Sequence, residues 1–331
     1  MDQTELEARH DASDFDVRVL LGMALVIIVP ALVTLASIPE PRPAMPIPPT
    51  VTTNPSPYGY TWSLLLFVVP SVAIGAWVLS IRQGALEKRA FWIAVGVLLP
   101  LWCALDVFFG LTFFTFPNTG ASVGHFWGYQ FGHGWRQTIP LEELGFYAFG
   151  FIAMLLVYIW GDAYFVKAYS PSREHTPDQM KHLISFHPRS ALVGVVLIAL
   201  ASVYKRWGPH DHRDGLPGYF IFLTLGSILP SVLFYRIARP FINFRALALT
   251  GFFMGVVSLF WEAAIGIPYQ WWDYNKDQMM GIFIGPLTGL PIEEVILWVS
   301  CAWCTVILYE TIRTFLRMNR SDVMAVMKDG F

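Results

Sequence analysis

The amino-acid sequence predicts an all-α fold: a polytopic membrane bundle of about eight spanning helices, arranged as two parallel four-helix repeats. Composition is the first indication, because only 14% of the 331 residues are charged, against about a quarter in soluble domains. The mean hydropathy of +0.51 agrees with this. The apolar residues also cluster in runs of roughly 20, the length that a helix needs to cross a bilayer. Several short motifs occur twice, in the same order.

Eight apolar runs reach or approach spanning length, and the fifth is the shortest. They cover approximately residues 19–38, 60–81, 90–113, 141–164, 190–206, 219–237, 246–267 and 291–312. The N-terminal tail, 1–18, is acidic, which argues against a signal peptide because such peptides begin with a basic segment. The loop 39–57 is Pro-rich and is predicted to be extended.

The distribution of basic residues predicts the orientation. With eight spans, both termini lie on the same side of the membrane. Sixteen of the 22 Lys and Arg residues then fall on that side. Because cytoplasmic loops carry an excess of Lys and Arg, we expect a multi-pass integral membrane protein with both termini in the cytoplasm.

Matched motifs divide the chain into two repeats. The matches are short and lie in corresponding spans: Gly59-Tyr60 with Gly218-Tyr219, and Asp106 with Gly110 against Glu262 with Gly266. Each repeat holds an even number of spans, so the two have the same orientation, related by an axis along the membrane normal. The predicted parts are a first membrane repeat, a polar cytoplasmic linker and a second membrane repeat: 1–164, 165–189 and 190–331.

The most informative motif places two glutamates at the start of an apolar helix. Pro140-Leu141-Glu142-Glu143 opens the fourth span and Pro291-Ile292-Glu293-Glu294 opens the eighth. Proline suits the first turn of a helix, and acidic side chains there face the positive end of the helix dipole. One copy could therefore be an ordinary helix start. Two copies at matched positions favour a duplicated functional site at the non-cytoplasmic side.

Two further acids are predicted to lie inside the membrane. Asp106 is about 16 residues into the third span, which at ~1.5 Å per residue places it in the outer half of the hydrocarbon core. Glu262 is similarly placed in the seventh span. A carboxylate there is costly unless it is protonated or paired, so both are functional candidates. A protonated carboxyl in an apolar pocket is a general acid. The alternative interpretation is a hydrogen bond between packed helices.

Aromatic side chains are concentrated beside both acid pairs. Trp127-Gly128-Tyr129 precedes the first pair and Trp272-Asp273-Tyr274 precedes the second. Trp and Tyr are common at membrane interfaces, but aromatic faces also stabilise cations. The residues predicted to contact the substrate or to stabilise a cation are Trp127, Tyr129, Trp272, Tyr274, Pro140 and Pro291.

These paired blocks resemble the lycopene cyclase domain of the integral-membrane, non-flavin type. In that family two homologous membrane subunits, or one fused chain, each supply a Pro-x-Glu-Glu element. The matching residues here are Pro140, Glu142 and Glu143, then Pro291, Glu293 and Glu294. The resemblance covers spans two to four and six to eight. Members of that family usually have about three spans in each half. Compared with them, this chain has two additional spans, the first and the fifth, as well as a Pro-rich segment and a longer linker.

The resemblance implies ring closure on a linear carotene without net redox change or cofactor. A protonated Glu would protonate the terminal double bond, the neighbouring double bond would attack the resulting cation, and a base would remove a proton. Glu142 and Glu293 are the expected principal pair, and Glu143 and Glu294 come next. Asp106 and Glu262 are expected to relay protons or tune the site. Whether two equivalent halves build one central cleft or two sites is left open by the sequence.

Other functional classes are less consistent with the sequence. The net charge of −2 argues against nucleic-acid binding, and no nucleotide, flavin or zinc motif occurs, so neither a cofactor nor a metal is expected. His210-Asp211-His212 with Asp214 is a weak metal candidate in a loop. Three alternatives to a cyclase remain: an isoprenoid enzyme such as a hydratase, a proton-coupled transporter and a non-catalytic scaffold. The expected partners are an apolar isoprenoid and membrane lipids.

Overall fold

The computed structural model describes residues 57–81, 86–171 and 188–317. Its long helices, in chain order, are α1 (Gly59–Ser80), α2 (Lys88–Phe113), α3 (Glu142–Phe165), α4 (Pro188–Trp207), α5 (Gly218–Phe241), α6 (Phe244–Gly266) and α7 (Ile292–Arg317). All except α4 are long and apolar enough to cross a membrane. Six helices of this kind are the mark of an integral membrane protein.

Six of the eight predicted spans are therefore confirmed as helices of spanning length. The predicted first span, 19–38, lies outside the described residues, as do the tail 1–18, nearly all of the loop 39–57 and most of the linker 165–189. The predicted fifth span, 190–206, lies within α4, which is helical throughout but is not one of the six.

Several of these helices contain a π-helical turn. The turns cover Asp106–Gly110 in α2, Gly161–Phe165 in α3, Thr224–Ile228 in α5 and Glu262–Gly266 in α6. The one in α5 ends two residues before Pro230, which has no N–H to donate to the turn before it. π turns occur often at functional sites. The two that begin with an acidic residue, in α2 and α6, are therefore candidates for part of such a site.

The loops contain short β-structure that the all-α prediction did not include. The strands are β1 (Phe114–Thr115), β2 (His125–Gln130), β3 (Gly134–Pro140), β4 (Asp273–Tyr274), β5 (Phe283–Ile284) and β6 (Leu290–Pro291). They form three antiparallel pairs: β1 with β4, β2 with β3, and β5 with β6. The β1–β4 pair connects the loop after α2 to the loop after α6, so it joins the two halves of the chain.

Helices α3 and α7 form the centre of the bundle. In each, 56% of the spanning stretch is buried, against 22–33% in the other four spanning helices. One apolar cluster surrounds their N-terminal halves and a second surrounds their C-terminal halves. Both helices carry Glu-Glu in their first turn, so the packing of α3 and α7 in the centre places these acidic residues in the interior.

A network of charged residues lies at the opposite end of the bundle. Arg313 donates to Glu310 at 2.8 Å and to Glu87 at 2.9 Å. Arg317 also contacts Glu87. The hydroxyl of Tyr158 donates to Glu310 at 3.0 Å. Since Arg313 is only 7% exposed, this paired cation ties the end of α7 to α3 and to the start of α2.

Candidate functional site

A cavity lies where the two halves of the described chain meet, near the starts of α3 and α7. All six spanning helices contribute to its wall. It offers about 80 Å³ to the centres of water-sized groups, and a single water needs roughly 10–15 Å³ on that scale. The space is therefore large enough for a group several times the size of one water molecule.

The cavity lining combines aromatic rings with four carboxyl groups. The carboxyl groups are Asp106, Glu143, Glu262 and Glu294, each at most 8% exposed. Among the described lining residues there is no Lys, Arg or His. Burying an ionised carboxylate without a cation is expensive, so these groups must share protons or be stabilised by hydrogen bonds.

In the first half, α1 and α3 bring a tyrosine to one of the carboxyls. Tyr60, near the start of α1, is 1% exposed. Its hydroxyl donates to Oε1 of Glu143 at 2.6 Å. The π turn of α2 places Asp106 next to the same group, and Tyr147, one helical turn beyond Glu143, lies within hydrogen-bonding reach of Asp106. Oδ2 of Asp106 has no hydrogen-bond partner among the described residues.

The second half repeats this arrangement with changed chemistry. Tyr219, near the start of α5, lies within hydrogen-bonding reach of Glu294, as Tyr60 does of Glu143. The π turn of α6 places Glu262 beside Glu294. The indole N–H of Trp298 donates to Oε1 of Glu262 at 2.6 Å. Trp298 thus takes the position in α7 that Tyr147 takes in α3.

Two residues of the second loop add donors around Glu262. The indole of Trp272 donates to the hydroxyl of Tyr274 at 3.2 Å, and that hydroxyl donates to Oε2 of Glu262 at 3.4 Å. Burial and the nearby Glu262 raise the pKa of the Tyr274 phenol well above its ordinary value. Tyr274 therefore stays a neutral donor at physiological pH.

Glu142 and Glu293, the expected principal pair, do not line the cavity. Glu142 accepts hydrogen bonds from Thr61, from Ser122 and from the backbone N–H of Val123 at 2.8 Å. Glu293 accepts from the backbone N–H of Met280. Successive residues of a helix point about 100° apart, so only the second glutamate of each pair faces the cavity. The first holds the preceding loop against the helix.

The predicted aromatic residues are divided between two places. Trp272 and Tyr274 line the cavity. Trp127 and Tyr129 lie in β2 of the β2–β3 hairpin and do not line it, and Trp127 is 56% exposed. The two Trp-x-Tyr motifs match in sequence, but they do not occupy equivalent positions in the structure. In the first half, the aromatic wall comes from Phe113, Phe114 and Phe116 instead.

The two prolines of the acidic motifs are buried just before the helices rather than in the wall. Pro140 ends β3 and Pro291 ends β6, so each passes from a strand directly into α3 or α7. Neither lines the cavity. They favour a helix start at this point, because the N–H that proline lacks would have no hydrogen-bond partner in the first turn of a helix.

The sequence did not identify the aromatic partners of the acids as site residues. These partners are Tyr60, Tyr147, Tyr219 and Trp298. A signal for two of them was present, because Tyr60 and Tyr219 follow matched glycines at the starts of α1 and α5. Tyr147 and Trp298 stand one helical turn beyond the second glutamate of their motifs, but a tyrosine and a tryptophan do not look alike in sequence.

The weak metal candidate in the 210–214 loop does not form a ligand cluster. Nδ1 of His212 lies 3.2 Å from Oδ1 of Asp277, and Asp214 is exposed beside Arg206. Within the described ranges no group of three or more His, Cys, Asp or Glu side chains could hold a metal ion.

Comparison with known proteins adds no further guide to this site, because no family model, no curated protein and no solved structure matches the chain.

Proposed function

We propose that this protein is a membrane enzyme that closes a ring at the end of a linear isoprenoid, with a lycopene-type carotene as the expected substrate. One observation carries the proposal. Four buried carboxyl groups face one aromatic cavity that has no cation among its described lining residues. Proton transfer to an apolar substrate needs carboxyl groups that can carry a proton next to an apolar surface, and this lining provides both.

Each part of the lining has a role in such a reaction. A buried carboxyl that has neither a cation nor enough hydrogen-bond donors beside it is most stable when protonated, and it can then donate that proton to a double bond. The carbocation that results would be attracted to the π faces around it, and Trp261 and Trp272 have ring centroids only 4.6 Å apart in this wall. Exclusion of water prevents capture of the cation before the ring closes.

The recurrence of the same contacts supports a duplicated architecture with one shared site. In both halves a tyrosine near the start of a helix meets the second glutamate of the motif, and a π turn supplies another acid. We therefore interpret the chain as two parallel repeats of four spans that enclose one composite site. Residues at the far end of the bundle, Arg313 and Arg317, are consistent with cytoplasmic termini under the positive-inside rule.

Within this proposal the candidates for proton transfer are the four acids that face the cavity. Glu143 and Glu294 replace Glu142 and Glu293 as the principal glutamates, because the latter are bonded to loops and lie outside the lining. Asp106 and Glu262 become equally strong candidates, because both line the cavity. The bilayer would supply the apolar substrate.

The direct experiment is expression in a host that accumulates lycopene, with pigments separated by chromatography and identified by mass. A product of unchanged mass with shifted retention and absorption supports the proposal. Glu143→Gln and Glu294→Gln should each leave lycopene unconverted while the protein stays in the membrane. A product heavier by one water would instead identify a hydratase. Unchanged lycopene with the wild-type protein present would contradict the substrate assignment.

A further inference from the structure

The two acids supplied by the π turns have different hydrogen-bond surroundings, although they occupy matching places in the two halves. Glu262 accepts from donors on both of its oxygens: the Trp298 indole at Oε1 and the Tyr274 hydroxyl at Oε2. Asp106 has one nearby partner, Tyr147, and its Oδ2 has none among the described residues. Both acids are less than 5% exposed and line the cavity.

The donors around Glu262 require it to be an acceptor. An indole N–H can only donate. The Tyr274 hydroxyl already accepts from the Trp272 indole, so its own hydrogen points to Glu262. Glu294 lies next to Glu262 in the same wall of the cavity. Hydrogen bonds donated to both oxygens stabilise the ionised carboxylate.

The surroundings of Asp106 favour the opposite state. A buried ionised oxygen with no donor would be strongly unfavourable, whereas a protonated carboxyl leaves no charge unpaired. Tyr147 is compatible with this state, because a phenol accepts as well as donates. The indole that occupies the matching position beside Glu262 could not accept.

We propose that Asp106 is the proton donor of this site and that Glu262 is the proton acceptor. The assignment rests on the proposed function, and it gives the two related halves different roles. Asp106 transfers its proton to one carbon of a terminal double bond, whose π electrons form the new C–H bond. A second double bond attacks the cation and forms the ring C–C bond. The Glu262 carboxylate then takes a proton from a ring C–H, and those electrons form the ring double bond.

The balance of this sequence is an isomerisation. One proton enters the substrate and one leaves it, so no oxidant or reductant is consumed. After one turnover Asp106 is ionised and Glu262 is protonated, and the return of one proton from Glu262 to Asp106 restores the starting state.

Infrared difference spectroscopy of the full chain in lipid nanodiscs tests the proton positions without any substrate. Asp106→Asn should remove a C=O stretching band of a protonated carboxyl. Glu262→Gln should remove a carboxylate band. Glu87→Gln, a matched substitution at the far end of the bundle, should remove a carboxylate band and leave the C=O band unchanged. Loss of a carboxylate band in Asp106→Asn, or of a protonated band in Glu262→Gln, would overturn the assignment.

Product analysis with lycopene supplies the second readout. Asp106→Asn should slow substrate loss by about 10²-fold or more, the usual contribution of a general acid. Glu262→Asp should still consume lycopene, but the ratio of ring double-bond isomers should change, because a shortened carboxylate reaches a different proton. Trp298→Phe should shift the same ratio. An unchanged ratio with all products lowered in proportion would reduce Glu262 to a structural residue.

The two proposals fail in different ways. If the infrared bands behave as expected but wild-type protein forms no ring from lycopene, the proposed function is wrong and the proton positions stand. If rings form but the bands are exchanged between Asp106 and Glu262, the function stands and the assignment is wrong.

Discussion

Asn118 and Asn275 form the same pair of hydrogen bonds, each to the opposite half of the molecule. Asn118 donates its backbone N–H to the carbonyl of Gln270 at 3.1 Å and its side-chain amide to that of Tyr269 at 3.0 Å. Asn275 donates in the same way to Phe113 at 2.8 Å and to Thr112 at 3.2 Å. Asn275 thereby binds the end of α2, and Asn118 binds the turn that directly follows α6, so each contacts the segment that carries the acidic π turn of the other half. These reciprocal hydrogen bonds hold the segments that carry Asp106 and Glu262 in a fixed relative position.

The first prediction concerns these reciprocal hydrogen bonds. Asn118→Ala and Asn275→Ala remove one hydrogen bond each between the halves, so each should lower the free energy of unfolding by about 1 kcal/mol. The effect should appear as earlier separation of the halves after cleavage at a protease site introduced between residues 172 and 187. Gln137→Ala is the control, because its amide bonds to His125 within one hairpin. Equal separation in all three variants would contradict the prediction.

The second prediction distinguishes the two glutamates of each motif. Glu143→Gln should abolish ring closure and leave thermal stability nearly unchanged, because a glutamine can still accept from Tyr60. Glu142→Gln should do the reverse: we expect a loss of about 1–3 kcal/mol in stability, since it weakens the bonds that hold Ser122 and Val123, with ring closure retained in the folded fraction. Thermal unfolding and product yield per folded protein measure both effects. Full activity of Glu143→Gln would remove it from the mechanism.

The third prediction concerns Gly110, which lies one helical turn after Asp106 in α2. A Cβ at Gly110 would overlap the carboxyl of Asp106, whereas a Cβ at Gly96, in the same helix, would meet nothing within 4 Å. Gly110→Ala should therefore displace Asp106 and reduce turnover by at least roughly tenfold, equivalent to about 1.4 kcal/mol of activation free energy. Gly96→Ala should leave turnover unchanged and raise helix stability by up to about 1 kcal/mol. Similar turnover in both variants would argue against a precise position for Asp106.

The fourth prediction is the counterpart in the second half. A Cβ at Gly266 would overlap the indole ring of Trp272, while one at Gly255, also in α6, would meet nothing within 4 Å. Gly266→Ala should move Trp272 away from Tyr274 and so weaken the donor set of Glu262. We expect a change in near-ultraviolet circular dichroism together with lower turnover, and neither change in Gly255→Ala. A spectrum identical to wild type would show that the ring adapts without consequence.

The fifth prediction tests the charged network at the far end. Arg313 is buried and contacts two acids, so Arg313→Ala should destabilise the protein by about 3 kcal/mol. Arg317 has a side chain that is 43% exposed, and Arg317→Ala should cost at most about 1 kcal/mol. Thermal melts in detergent compare the two variants. An equal effect would mean that burial of Arg313 does not control its contribution.

Much of this architecture was predictable because membrane helices leave a direct record in sequence. Long apolar runs predicted α1, α2, α3, α5, α6 and α7. Such runs form helices in the membrane, because a helix pairs its backbone N–H and C=O groups within itself and hydrocarbon offers them no other partner. The duplicated Glu-Glu motifs and the matched Asp106 and Glu262 were visible for a related reason: acids at such positions are costly and therefore conspicuous. The β2–β3 hairpin was missed, because its aromatic residues look the same as an interfacial belt.

Which acidic residues face the cavity was less predictable. Within Glu142-Glu143 the sequence indicated an acidic pair, but the facing side chain depends on the rotation of α3 about its axis in the packed bundle. The match of Trp127 with Trp272 failed because two loops of different length fold differently after similar helices. Tyr147 and Trp298 matter through contact with acids that are distant along the chain.

The sequence by itself determined the membrane class, six of the spanning helices and the acidic positions, because periodicity, composition and the cost of buried charge are local properties. Only the tertiary structure decided that the four acids share one cavity, that Glu143 and Glu294 face it while Glu142 and Glu293 hold loops, and that Glu262 is surrounded by donors that Asp106 lacks. Those features depend on helix rotation and on contacts between residues more than 100 positions apart, such as Asn118 with Tyr269, and no local pattern in a chain records them.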